Sequence, residues 1–222
     1  MSLLHPKYGA LPRDFPVFPL TGALLLPYGK LPLNIFEPRY LAMIEDALAG
    51  QRMFGLIQPD GHQPAVENGP AMFGVGCLGR LSSFSETDDD RFLISVTGLI
   101  RFDVEGELPT RRGYRRVTAD FSRYEGDLEQ PVASLPQRES LIDALRAYFT
   151  VNGFDANWDA IEAMSDNDLV VTLAMICPFD PVEKQALLEA VDPSARAATL
   201  LMLLQMGAHS DQGLGLGERP PS

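Results

Sequence analysis

The sequence predicts an α+β fold, with antiparallel β structure up to about residue 124 and an α-helical bundle after it. Three observations predict this. Before residue 125 apolar residues recur in short or alternating runs cut by Gly and Pro, the pattern of strands and turns. From about residue 137 they recur every three or four residues, the pattern of helices that bury one face. Charge divides at the same place: 13 Lys and Arg stand against 14 Asp and Glu up to Tyr124, a net of −1, and 5 against 16 from Glu125 onward, a net of −11. With 222 residues and 45% hydrophobic content, the chain can bury a sizeable core in one large domain or two small ones.

The β part is organised around residues 15–40, FPVFPLTGALLLPYGKLPLNIFEPRY. A helix cannot absorb Pro16, Pro19, Pro27 and Pro32, because each removes a backbone donor and disfavours α geometry in the residue before it. The stretch therefore reads as strands over 17–20 and 31–36 joined by a loop over 24–29, with Pro at strand starts, edges or bulges. At Glu37 the grammar changes. Pro38 suits a first helical turn, and Tyr40, Leu41, Ile44 and Leu48 follow at helical spacing until Gly50. Further strands are expected over 53–58, 73–84, 91–96, 99–104 and 114–124. The glycines at 74, 76 and 79 mark bulges or close backbone approach, and an acidic turn spans 86–90. With 99–104 continuing as strand after Gly98, these seven segments are read as about six strands with one short helix over 15–124, preceded by an arm over 1–14.

Residues 125–136 read as a linker. Leu141, Leu145, Tyr148 and Phe149 then give a helical stripe that Asn152 and Gly153 end. A poorly patterned turn over 158–163 precedes the next helix. Ser165 with Asp168 resembles a capping box ahead of a helix whose buried face is Leu169, Val170, Leu173, Ile176 and Cys177. Asp180-Pro181 and Asp192-Pro193 start two more helices, the second closed by Gly207. Residues 137–207 thus form the helical subdomain. Residues 208–222, rich in Gly, Ser and Pro, read as a disordered tail.

Chemistry is sparse. No GxxxxGK[ST] or GxSxG motif occurs, and the glycines of GVGCLG have no following helix to aim at a phosphate. His5, His62 and His209 are isolated, and no CxxC or HxxxH spacing exists, so neither metal nor other cofactor is expected. Lys184 is expected on an exposed helix face, away from any nucleophile. Cys77 and Cys177 read as reduced structural thiols. Arg111, Arg112, Arg115 and Arg116 flank Tyr114 and form a candidate basic patch, the ingredients of phosphate contact with base stacking. Pairing with the acidic helical half is the favoured reading, and the overall charge of −12 disfavours nucleic acid and anionic membrane as partners. No run is long enough to span a membrane and the N-terminus lacks the regions of a signal peptide, so the cytoplasm is the expected compartment.

Taken in order, FPLTGALLLPYGKLPLNIFEPRYLAMI, the hairpin GVGCLGRLSSF…DDDRFLISVTGLIRFDV and DLVVTLAMICPFDPVEKQALLE resemble the N-terminal substrate-binding domain of Lon-type ATP-dependent proteases over about residues 15–205. In particular they resemble standalone bacterial proteins made of that domain without the ATPase and Ser-Lys protease modules. The resemblance implies a PUA-like β pseudo-barrel followed by a helical bundle. It implies a non-catalytic module that binds unfolded or extended polypeptides, with a separate ATP-dependent protease or chaperone as a further partner. Binding is expected in an apolar groove between barrel and helices, or along a sheet edge. The matching signature is Pro27, Leu31, Pro32, Leu33, Phe36, Glu37, Pro38, Arg39 and Tyr40. Within it Leu33 and Phe36 are expected to fill the barrel, and Glu37 and Arg39 to order the corner through capping and a charge pair. Phe36, Glu37, Arg39 and Tyr40 are the candidate peptide-binding or subdomain-interface residues. Two alternatives from other classes stand beside this one: RNA binding through the arginine patch, and a small hydrolase whose site no motif reveals.

Overall fold

The computed structural model describes residues 6–129 and 135–209, so the expected tail from residue 210, part of the expected linker and His5 lie outside the described residues. In chain order the barrel holds β1 (Asp14–Pro19), β2 (Lys30–Ile35), α1 (Pro38–Ala49), β3 (Met53–Ile57), β4 (Val75–Glu86), β5 (Phe92–Arg111) and β6 (Tyr114–Asp120). The bundle holds α2 (Arg138–Asn152), α3 (Trp158–Glu162), α4 (Asp166–Ile176), α5 (Pro181–Glu189) and α6 (Pro193–His209). Among the described residues no helix is long and apolar enough to cross a membrane.

The strands form one sheet in the order β2-β5-β4-β3-β1-β6, and β6 pairs back onto β5 to close the barrel. Strand β5 makes this possible through its length. Its first half pairs with β2, from Ile35↔Phe92 to Lys30↔Thr97, and its second half pairs with β6 from Asp103↔Asp120 onward. Strand β2 thus sits at an open edge beside a closed ring. Two strands are expected where β5 is continuous, because Gly98 does not end the strand. Its N–H donates to the Gly29 carbonyl and its carbonyl accepts from the Tyr28 N–H, so the ladder passes to the 24–29 loop. A Cβ at residue 98 would lie 2.0 Å from the Leu26 oxygen, an approach only Gly allows.

The prolines fall where the ladders tolerate them. Pro16 is paired with β6 alone and Pro19 with β3 alone, so neither is bonded on both sides. The loop between β1 and β2 turns inward, and Leu24, Leu25 and Leu26 are buried in the barrel core. Beside them the Phe15 ring meets Phe102 edge-on at 5.0 Å and stacks on Phe121 at 6.0 Å. Strand β6 ends at Asp120 rather than running to Tyr124. The Asp120 carboxylate accepts from the Ser122 N–H and hydroxyl and starts a 3₁₀ turn, Ser122–Leu128.

Local capping fixes the helix starts. The Ser165 hydroxyl accepts from the Asp168 N–H, and Asp180 and Glu183 form a reciprocal capping box. Asp192 accepts from the Ala195 N–H. Gly153 ends α2 in the left-handed region, at φ 68°. Ile176, expected on the buried face of α4, is 63% exposed, because the helix ends there and the chain turns Cys177 inward instead. Lys184, expected on an exposed face, is buried. Its ammonium donates to the Gly22 carbonyl at 2.8 Å and to Met175 at 3.3 Å, which ties α5 to the barrel loop. Gln58 donates to the Pro181 carbonyl and to the Gln185 amide oxygen, and Gln185 donates to Val75, so buried polar side chains join the two parts.

Candidate functional site

At the corner between β2 and α1, the period of the strand decides which signature residues point inward. Leu31, Leu33 and Ile35 share the inner face, and Ile35 is fully buried. Phe36 is one position out of phase and is 61% exposed, against the expectation that it fills the barrel. The Arg91 guanidinium lies 5.8 Å from its ring centre. Glu37 precedes Pro38 in extended conformation and its side chain makes no capping bond, so the expected side-chain cap is absent. The charge pair is present: Arg39 donates to the Glu37 carboxylate at 2.8 Å and lies over the Tyr40 ring at 4.6 Å. Tyr40 itself is buried against Phe18, with ring centres 4.2 Å apart.

Phe36 has apolar company. Leu93 is 47% exposed and Phe84 41% exposed. The register sets Asn34 beside Leu93, which puts Leu93 on the outer face with Phe36, whereas Phe84 lies beside Ile94 on the opposite face with its ring 4.9 Å from Phe92. A cleft of about 190 Å³ is lined by Arg39, Tyr40 and Arg115 together with Pro19, Pro59 and Pro70. The structure therefore brings Arg39 and Tyr40 together with Arg115, a residue that sequence reasoning had assigned to a different cluster.

The arginine patch is largely spent within the barrel. Arg111 pairs with Asp46 at 3.2 Å, and Arg112 pairs with Glu45 at 2.6 Å and Asp46 at 3.0 Å. Arg115 is buried, pairs with Glu107 and donates to the Pro70 carbonyl at 2.6 Å. Arg116 is half-buried beside a cleft that Asp14 and Asp46 also line. The Tyr114 ring, which RNA stacking would need, is buried with its hydroxyl donating to Asp46 at 2.6 Å. The partners are thus acids of α1 and β5, not of the helical half as expected. Burial and the Asp46 carboxylate push the Tyr114 phenol up to about 12. Hydrogen bonds from Tyr114 and Arg112 hold the Asp46 carboxyl below its usual range against the effect of burial.

A hydrolytic centre gains nothing from the buried lysine. Lys184 is held by two carbonyl oxygens, and burial lowers its pKa. Burial also pushes the nearby Cys177 thiol up to about 12, so it stays protonated at neutral pH. Among the described residues no group of three or more His, Cys, Asp or Glu is placed to hold a metal. The junction between barrel and bundle has a cleft that Arg101, Arg123, Asp127 and Arg196 line together with Pro27, Tyr28, Tyr124, Val191 and Pro193.

A family model described as the ATP-dependent protease La (LON) substrate-binding domain matches residues 14–206. Lon protease 2 of Myxococcus xanthus is 24% identical over 200 residues, which cover 87% of this chain and 24% of that protein. Lon protease of Syntrophus aciditrophicus is 23% identical over 222 residues, covering 96% of this chain and 27% of that protein. The chain thus spans about a quarter of the length of the curated relatives it matches. The crystal structure of a Lon N-terminal domain protein from Xanthomonas campestris is similar with a TM-score of 0.59 at 21% identity, over 85% of this chain and 97% of that one. The N-terminal domain of the Mycobacterium avium complex Lon protease gives 0.60 at 15% identity, over 89% of this chain and 98% of that one. Both have the fold seen here, a barrel followed by helices. The chain belongs to the LON substrate-binding domain family.

Proposed function

We propose that the protein is a non-catalytic module that binds unfolded or extended polypeptide at the corner where β2 enters α1. The observation that carries this reading is the exposure of Phe36 and Leu93 on one face of adjoining strand ends beside the open edge of β2. Contiguous exposed apolar side chains mark interaction surfaces, and an edge strand offers unpaired backbone groups to an extended segment. The two features together suit a ligand whose own backbone and apolar side chains are both exposed, as in an unfolded chain. Arg39 over Tyr40 and Arg91 near Phe36 add cationic rims that suit acidic or carbonyl-rich segments. Family membership supports the same class of ligand. Handing the bound chain to a separate ATP-dependent protease or chaperone is the natural next step for such a module.

Fluorescence anisotropy with a reduced, carboxymethylated model polypeptide tests this reading. Micromolar binding is expected for the native sequence. Phe36→Asp and Leu93→Asp, at exposed sites that the core does not need, are expected to weaken it at least tenfold, or about 1.4 kcal/mol each, without lowering thermal stability. Equal affinity in both variants would exclude the corner as the binding surface.

A further inference from the structure

The charged cleft at the barrel–bundle junction has a volume of about 180 Å³ and an unusual charge arrangement. Two of its arginines, Arg101 and Arg196, are only 3% and 4% exposed. Every guanidinium nitrogen of Arg101 has an acceptor. Its Nε and Nη2 each reach the Asp127 carboxylate at 2.8 Å, and its Nη1 donates to the carbonyls of Leu188 and Ala190. Arg196 is different: its Nε donates to the Leu187 carbonyl at 2.9 Å, while its Nη2 is buried with no acceptor.

The carboxylates that share the cleft do not answer this. Asp127 is taken up by the side chain and backbone N–H of Arg101, Asp192 caps α6, and Glu129 is exposed at the rim. The buried layer thus contains two guanidinium groups and one carboxylate already committed to the first of them. A buried charge with an unmet donor is costly unless an acceptor is supplied. Burial and the neighbouring Arg101 push the Arg196 guanidinium down to about 10, which leaves it cationic at neutral pH.

Two further features point the same way. Asn167, in the first turn of the 11-residue α4, and Pro193, the first residue of the 17-residue α6, both line the cleft, so two helix N-termini open onto it; the α4 turn also carries Asp166, paired with Arg138, and Asp168, which accepts from the Ser165 hydroxyl. Arg123, paired with Asp103 at 3.0 Å, stands at the entrance and is mostly exposed. We propose that this cleft binds one compact oxyanion, a carboxylate or a phosphate, through Arg196 with help from Arg123 and the first turn of α4. A planar guanidinium suits either group through paired N–H donors. The oxyanion can be free inorganic phosphate or the C-terminal carboxylate of a polypeptide. The inference stands apart from the corner surface, which it does not use.

Calorimetry on the full chain at low salt distinguishes the sources, with inorganic phosphate as one probe and an acetylated tetrapeptide, free or amidated at its C-terminus, as the other. Two variants accompany it. Arg196→Gln removes the charge. Asn167→Asp places a carboxylate in the first turn of α4, where it favours the helix while repelling an anion. One-to-one saturable binding is expected for phosphate or for the free-acid peptide, at least tenfold weaker in Asn167→Asp and lost in Arg196→Gln. Binding of phosphate alone assigns the site to a free ion, and binding of the free acid but not its amide assigns it to a chain end. Absence of binding by both probes at millimolar concentration would overturn the proposal, as would unchanged affinity in Asn167→Asp, whose fold does not depend on the buried guanidinium.

Discussion

Asp46 holds the basic turn together. It accepts from the Tyr114 hydroxyl at 2.6 Å and from Arg112 at 3.0 Å, and pairs with Arg111 at 3.2 Å. Because its folded pKa lies below the ordinary 3.8, the folded protein binds fewer protons there than the unfolded chain. The stabilisation is therefore complete above that value and is lost as pH falls below it. Tyr114 has the opposite shift, from 10.0 to about 12, so its contribution is complete below pH 10.0 and fades as pH rises toward 12. Asp46→Asn is expected to cost about 1–3 kcal/mol at pH 7 in urea denaturation, and the difference is expected to shrink in acid. A cost that did not change with pH would contradict the ionic role. Phe36 shows what a single residue conceals. Its type suggests a core position, whereas the two-residue period of Leu31, Leu33 and Ile35 already placed it outside.

At the scale of elements, β5 decides the architecture, since one strand serves β2, β4 and β6. Gly98 lets it do so by leaving room for the Leu26 carbonyl, which a Cβ at residue 98 would meet at 2.0 Å. Gly98→Ala is expected to destabilise by about 3 kcal/mol, measured by thermal or urea unfolding, because the obstructing atom is backbone and cannot swing away. A neutral effect would mean the loop is not held as described. Helix starts were legible because capping is local: Ser165, Asp180 and Asp192 announce their helices within three residues, whereas the stop expected at Gly207 was not one, since α6 runs through it to His209 with Gly207 packed on the Tyr148 ring. Strand identities were legible from alternation and Pro placement. The continuity of β5, the parallel pairing of β1 with β3 and the return of β6 to β5 were not, because nothing local encodes contacts between distant segments. Lys184 was misplaced for the same reason: the Gly22 carbonyl that it reaches is 162 residues away in sequence.

For the whole molecule, the change of period near residue 125 falls where the last strand, β6, gives way to helices, and family-specific spacing identified the fold. The means of joining them was hidden. Gln58, Gln185, Lys184 and Arg101 make a polar junction that no motif marks. Such a junction couples the stabilities of barrel and bundle. Near-ultraviolet and far-ultraviolet circular dichroism are expected to report one coincident unfolding transition. Arg101→Leu, which leaves Asp127 buried without its partner, is expected to lower its midpoint by the equivalent of about 3–5 kcal/mol. Two separated transitions in the native sequence would show the parts to be independent. The proposed binding surface was only half legible: the signature contains Phe36, but the exposed Leu93 comes from a strand that only the register brings beside it. Amide hydrogen exchange with and without saturating unfolded polypeptide tests that surface most directly. The expected result is protection concentrated over residues 30–41 and 84–93, and the contradicting result is no protection, or protection confined to the junction with the helices.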